Sequence, residues 1–485
     1  MLTYQDFLAA PDRAEFIARL IAEHKDGDLY RTAKVADEYD ARRNVTIAKF
    51  RRVMYTPRGR AVKDPTAADN RIASGFFPRL NTQRCAYSLG NGVTFTRTEP
   101  RTDEAGNEVA VDLTKEQLGA RFDTDLYAAA YRALIHGVSF GFWNMDRLDV
   151  FAVTEFAPLE DEYTGELMAG VRFYQVDENR PLTAVLYEPD GYTKYRSGKD
   201  DGKLREYEPK RAYKQRITAA PADAQPEVVG ENYQVRRRGE DMPRTALPIV
   251  PLYGSRLHQS TLIGMREAID SYDMVRSGFA NDLQECAQIY WLLENYGGMS
   301  EEDLNRFRDR MKLMHIAEAD TTNGGKVQAY TQEVPYAARQ TYLDGMRQGI
   351  YEDFGGLNVT SISAAAQTAT QIDAAYQPLD ENADDFEYQI IEFVQKILAL
   401  MGIEDTPQFK RNRITNQLEQ VQMVAMEAPY LDDETILKKL PNITPDEIAA
   451  ILYKRDEAET GRFARGNAPE EKPPEEDPTG EDGDT

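Results

Sequence analysis

The chain has 485 residues, 82 of them acidic and 58 basic, for a formal net charge of −24. That length allows more than one domain, because single cores stop growing at roughly 250–300 residues. The acidity excludes a surface built wholly to grip phosphates, so any contact with nucleic acid is local or weak.

Cys85 and Cys286 lie far apart, which argues against a disulfide framework and fits a reducing cytoplasm. The opening run MLTYQDFLAAPDRAEF carries Asp6 and no apolar core segment, so it does not read as a secretory signal. Residues 126–143 are the most apolar stretch, but Arg132 and His136 interrupt them and they are too short to span a bilayer. A soluble protein is expected.

In chain order, residues 4–24 have helical spacing with a start near Asp12. Residues 41–63 form a block with eight Lys or Arg and no acid, which suits nucleic acid, an acidic neighbour, or a solvated face paired with acids elsewhere in the fold. Residues 70–95 read as a helix ending at Leu89-Gly90 and a strand 93–95; residues 118–135 read as a helix stopped at Gly137 and followed by an aromatic strand, 138–143. Further strands are expected at 148–153, 171–176, 184–187 and 192–196, with a turn at Pro189-Asp190-Gly191 between the last two. The first half is thus α+β with an antiparallel sheet. Residues 219–241 read as an exposed loop, and 246–254 as an extended segment stiffened by Pro248 and Pro251.

Residues 260–290 are the centre of the pattern. Leu262, Met265, Ile269, Tyr272, Val275, Phe279, Leu283, Ala287 and Tyr290 mark one face of a long helix of about 45 Å, with Ser260 as its N-cap. A polar stripe, Arg266, Asp270, Asp273, Ser277, Asn281, Gln284 and Gln288, runs between them. A small αβ insert follows. Its helix opens at Ser300 and shows Leu304, Phe307, Met311 and Met314 on one face; its strand starts at Lys326 after Asn323-Gly324-Gly325. Residues 337–354 form a second helical arm ended by Gly355-Gly356. From Phe354 to Ile372 no residue is charged, where the 29% charged composition predicts about five. Such a loop is either buried or built to touch a charged surface without gripping it. Residues 371–401 are again a long amphipathic helix that Pro378 starts or kinks, further helices follow to about residue 460, and the tail is disordered by composition.

Catalytic and cofactor motifs are missing. Gly198-Lys199 is followed by Asp200, and Thr193 stands where a phosphate-cradling loop needs its first glycine. His24, His136, His258 and His315 have no partner at metal-ligand spacing. Among 82 carboxylates, pairs such as Asp161-Glu162 arise by chance. No metal or cofactor is expected.

Four stretches together resemble the portal (head-to-tail connector) proteins of tailed bacteriophages, of the siphophage type: NRIASGFFPRLNTQRCAYSLGNGVTF; the junction LPIVPLYGSRLHQSTLIGMREAIDSYDMVRSGFANDLQECAQIYWLLENYGG; YLDGMRQGIYEDFGGLNV with its polar loop; and the long helix to Met401. The junction is the most specific. The resemblance implies a portal fold: an α/β wing (1–258), stem helices (259–287 and 336–354), a small αβ clip (288–335), a tunnel loop (355–370), a long wing helix (371–402), a helical crown (403–460) and an acidic tail (461–485). It implies a homo-oligomeric ring, usually a dodecamer, at one capsid vertex of the virion, assembled in the host cytoplasm. Double-stranded DNA would be packaged and ejected through it. Implied partners are the terminase large subunit, which would hold the packaging ATPase, the major capsid and scaffolding proteins, and head-completion adaptors. The chain itself would not be an enzyme. Leu357, Asn358, Val359, Thr360, Ser361, Ser363 and Gln367 would line the channel, Asp270, Asp273, Ser277 and Asn281 would face it from the stem, and Leu304, Phe307, Met311, Asn323 and Lys326 would meet terminase or an adaptor. Members of the family often carry a lysine soon after the loop, where this chain reads Ala364-Ala365-Ala366-Gln367. Two other readings compete: a carboxylate-based hydrolase, which needs a pocket with two convergent acids, and a structural head protein without a channel.

Overall fold

The computed structural model describes residues 2–55, 58–63, 67–102, 108–177, 179–198, 201–218, 227–236, 242–286, 290–294, 300–303, 305–306, 309, 326–330, 336–358, 369–413, 424–426, 428–432, 435–437 and 451–452. The chain divides into two compact units. The larger holds Met1–Glu99, Val111–Ala366 and Ile372–Asn412; the smaller holds Pro100–Ala110, Gln367–Gln371 and Arg413–Thr485. In the smaller unit the Asp432 carboxylate accepts from the Thr435 amide at 3.1 Å, capping a helical turn.

Helix α1 (Tyr4–Ala9) opens with a capping box between Thr3 and Asp6, and α2 (Arg13–Asp26) with the Asp12 carboxylate accepting from the amides of Ala14 and Glu15. Helices α3 (Asp28–Asp40) and α4 (Val45–Lys49) follow, then α5 (Phe76–Leu89), α6 (Leu113–Leu118) and α7 (Phe122–His136). Gly137, at φ +93°, ends α7 where the sequence places the stop. Past the sheets come α8 (Arg266–Cys286), α9 (Tyr336–Phe354) and α10 (Ala369–Met401), which contains Pro378.

A five-stranded antiparallel meander runs from Phe156–Glu160 through Leu167–Tyr174, Thr183–Glu188 and Gly191–Ser197 to Leu204–Arg211. Alternation along Thr183–Glu188 covers both of its faces. Ala184 and Leu186 pack with Phe16, Ile17, Leu20 and Ile21 of α2, whereas Val185 and Tyr187 pack with Phe140 and Phe151 of a three-stranded sheet. That second sheet orders Ile249–Tyr253, Val138–Asn144 and Arg147–Ala152. On it lies the main core, where α7 (Leu126, Ala130, Ala133) meets Phe386, Ile390, Phe393 and Ile397 of α10. Gly141 is required there, since a Cβ at that position would stand 2.4 Å from the Phe393 ring.

The segment after α10 folds back within the larger unit. Arg411 donates to Asp380 at 3.0 Å, to Glu387 at 2.9 and 3.0 Å, and to Asp384. Gln408–Phe409 pairs with Val93–Thr94. The Asp405 carboxylate accepts from the hydroxyls of Thr96 and Thr114, each at 2.7 Å.

Two expectations change. The segment expected as a loop over 219–241 contains the strand Glu227–Glu231, paired with Lys214–Thr218. The helix expected from Ser260 begins at Arg266, because Gly264 takes φ +86° and residues 261–265 form turns. The Ser260 hydroxyl accepts from the Leu262 amide and so caps a turn instead. With its end at Cys286, α8 is about 32 Å long at 1.5 Å per residue.

Candidate functional site: the α8–α9 helix pair and its strap

Every fourth residue of α8 from Asp273 to Glu285 accepts a hydrogen bond from one backbone segment, 68–74. Asp273 takes the Ser74 amide at 2.9 Å and Ser277 the Ile72 amide at 2.9 Å. Asn281 takes the Asn70 amide at 2.6 Å and Glu285 the Ala68 amide at 3.2 Å. The match is metric. Four residues of helix rise about 6.0 Å, and two residues of extended chain cover about 6.6 Å. Alternate amides of an antiparallel strap therefore meet successive turns of the helix, satisfying donors that no sheet takes up.

The first rung is doubled. Asn44 donates from its amide nitrogen to the other Asp273 oxygen at 2.9 Å, while its own oxygen caps α4 through the amides of Thr46 and Ile47. Burial pushes the Asp273 carboxyl up, and the bonds from Asn44 and Ser74 work against that rise. Beside the ladder, Asp270 accepts from the Tyr39 hydroxyl at 2.5 Å. Arg52, from the basic block, pairs with Asp282 and Glu285, so part of that block meets acids of the same chain.

Helix α9 runs back along α8. Phe279 lies 5.6 Å from Tyr336 at one end, where Arg339 also pairs with Asp282. At the other end Ile350 and Phe354 share a cluster with Met265, Ile269, Phe76 and Leu80. Gly355, at φ +63°, stops α9: its amide bonds Glu352 at 3.0 Å and that of Gly356 bonds Tyr351 at 2.8 Å, a Schellman ending. The next residue is clamped. Gln83 of α5 accepts from the Leu357 amide at 2.9 Å and donates to the Leu357 carbonyl at 3.0 Å. The Leu357 side chain is buried with Tyr87, Tyr376 and Leu379.

These positions correct part of the expected site. Asp273, Ser277 and Asn281 are 0%, 7% and 7% exposed, so they face the strap of their own chain and not a lumen. Asp270 shares that face and bonds Tyr39 and Arg266. Leu357 faces the interior, while Asn358 is half-buried. Val359, Thr360, Ser361, Ser363 and Gln367 lie outside the described residues, as do Leu304, Phe307, Met311 and Asn323. Lys326 begins a strand, Lys326–Tyr330, that pairs antiparallel with Tyr290–Glu294. The end of the first arm is thus a strand at Tyr290, where the periodicity had extended the helix. Among the described residues there is no His, Cys, Asp and Glu group able to hold a metal ion, and no helix is long and apolar enough to cross a membrane.

Comparison with known proteins places the chain in a family. It belongs to the phage portal proteins, SPP1 Gp6-like, whose family model matches residues 18–461. It is 22% identical over 484 residues to the portal protein of Bacillus phage SPP1, covering 94% of this chain and 88% of that one. To the portal protein of Clostridium phage phiCD119 it is 26% identical over 219 residues, 43% of this chain and 48% of the relative, so that match spans about half the relative's length. Among solved structures, a chain in the neck of the native gene transfer agent particle, computed with C12 symmetry, is 11% identical with a TM-score of 0.38, covering 82% of this chain and 97% of that one. A chain of the gene transfer agent virion is 11% identical with a TM-score of 0.36, covering 67% and 83%.

Proposed function

We propose that this chain is one subunit of a closed ring, on the order of a dozen copies, through which double-stranded DNA enters and leaves a phage capsid at one vertex. The family match over residues 18–461 carries the reading. The helix pair supports it: Met274 and Leu283 of α8 and Tyr336 and Tyr342 of α9 are exposed in the single chain, and a neighbouring copy would cover such side chains.

In this reading α8 and α9 are the stem, the strand pair Tyr290–Glu294 and Lys326–Tyr330 belongs to the clip, α10 is the long wing helix, and the residues between α9 and α10 are the loop toward the channel. The polar ladder fastens the stem to the strap, which leaves other exposed positions of α8, such as Glu267 and Ser271, for neighbours or the lumen. The uncharged loop suits a polymer that must slide, since strong phosphate contacts would hold it still. The terminase large subunit and adaptors dock on residues 288–335, the capsid and scaffolding proteins surround the ring, and the chain has no catalytic activity of its own. Negative-stain imaging of the purified chain tests this: the expected image is a ring with a central hole, and association without a hole contradicts it.

A further inference from the structure

The face of α8 that lies between its strap and α9 is open, and it holds a socket. Ile47, Phe50, Met274 and Gly278 line a cavity of about 160 Å³ that Asn70 and Arg71 also border. That volume falls below the roughly 300 Å³ at which small-molecule sites begin and leaves room for one side chain. At its edge Phe50 and Met274 are 54% and 44% exposed, although large apolar side chains gain from burial. On α9, Tyr342, Gly345, Gly349 and Glu352 follow at helical spacing and share one face, turned away from the buried Leu343, Ile350 and Phe354. Tyr342 is 54% exposed there. A Cβ at Gly278, Gly345 or Gly349 would meet nothing within 4 Å among the described residues, yet glycine inside a helix weakens it.

The two faces also differ in charge. Lys49 and Arg51 flank Phe50 and are exposed, as are Arg58 and Lys63 of the hairpin that follows, and residues 49–63 contain no acid. Of the acids on that side of α8, Asp282 is paired with Arg52 and Arg339, and Glu267 lies two turns from Met274. On α9 the exposed charges between Thr341 and Phe354 are Asp344, Glu352 and Asp353, while Arg347 is half-buried.

We propose that these faces meet between copies of the chain: the socket of one copy receives Tyr342 of the next, and Gly278 lies against Gly345 and Gly349 where the two helices approach. The inference rests on the ring reading above. A ring built by rotation joins two different patches, so every copy carries both halves of the contact. Heights along the pair agree. Asp282 stands level with Arg339, and Ile269 shares a cluster with Ile350, so Met274 and Gly278 lie level with the stretch around Tyr342 and Gly345. A rotation axis running along the pair brings equal heights together. Tyrosine suits the socket because its ring meets Ile47, Phe50 and Met274 while its hydroxyl reaches the polar border. The missing Cβ atoms let the backbones approach, and the opposite charges of the two faces favour this register over a contact of like faces.

The test uses the full chain, with native mass and imaging as readouts. Gly345→Leu and Tyr342→Ala are compared with the wild type and with Tyr163→Ala, which removes a remote exposed tyrosine. Leucine favours a helix over glycine, so Gly345→Leu should keep the wild-type circular dichroism with an equal or higher Tm while the ring is lost. Tyr342→Ala should lose the ring with the same folded signals, and Tyr163→Ala should assemble like the wild type. A second arm does not depend on loss of assembly. On a Cys286→Ser background, with Cys85 buried, a chain carrying Met274→Cys is mixed before assembly with one carrying Tyr342→Cys and treated with a short bismaleimide. Linked dimers are expected from the mixture and not from either chain alone, since the contact joins unlike positions. Normal rings in both Gly345→Leu and Tyr342→Ala, or rings that give no mixed link, overturn the inference and leave the ring reading standing. A wild-type chain that forms no ring under any condition overturns both.

Discussion

The amide of Ser74 reaches Asp273 Oδ1 at 2.9 Å across 199 residues of sequence, and the three rungs beyond it repeat the bond at each turn of α8. Three of the four acceptors, Asp273, Ser277 and Asn281, belong to the polar stripe that the periodicity marks on the helix. Their loss exposes no surface; it strands backbone donors inside the protein.

Asp273→Ala should therefore cost about 1–3 kcal/mol, the penalty for burying unsatisfied donors, measured by urea unfolding. Asp273→Asn should cost a similar amount, because one side of the new amide turns a donor toward Asn44 Nδ2. Substituting Ala for Ser271, exposed on the same helix, should change stability by less than about 0.5 kcal/mol.

Gly141→Ala places a methyl group against the Phe393 ring and should destabilise by about 1–3 kcal/mol. Phe393→Leu alone opens space in the core and also costs stability. Combined, the two should cost less than their sum, and a double-mutant cycle in denaturant reads that coupling.

Asp405 predicts an acid limb. Burial pushes its carboxyl up, but hydrogen bonds from the Thr96 and Thr114 hydroxyls and the Thr406 and Thr96 amides outweigh it and hold the pKa at about 2, below the ordinary 3.8. A depressed folded pKa means that the unfolded chain binds the proton more readily. The stabilisation is present above the ordinary value and is lost as pH falls from about 4 to about 2. Asp405→Asn should unfold with a shallower pH dependence across that window, followed by circular dichroism.

What the sequence disclosed depended on how local the signal was. The α7 stop at Gly137 and the strand after it were legible because a left-handed glycine and an aromatic run stand side by side. The strand Phe156–Glu160 was not, since Pro158 sits within it and only its pairing with Leu167–Tyr174 makes it a strand. Ser260 looked like a helix cap because the apolar spacing continues through Gly264, which breaks the helix. For the site, periodicity showed that Asp273, Ser277 and Asn281 share a face, but what covers that face lies about two hundred residues earlier and carries no recognisable pattern. The resemblance to portal proteins, by contrast, rested on long stretches of ordered residue types, and the family match extends beyond them at both ends.

A lysine in the uncharged loop probes the channel. Thr360→Lys or Ser361→Lys adds one phosphate contact per subunit, multiplied around a ring, and should slow or stall genome packaging while leaving particle assembly intact. Packaging at the normal rate and length would mean that the loop does not meet DNA.

The most direct measurement is the native mass of the purified chain across protein concentration and salt, read together with images of the particle. A closed species near a dozen subunits with a hole at its centre is expected. A monomer under every condition, or an aggregate of open and variable size, would contradict it.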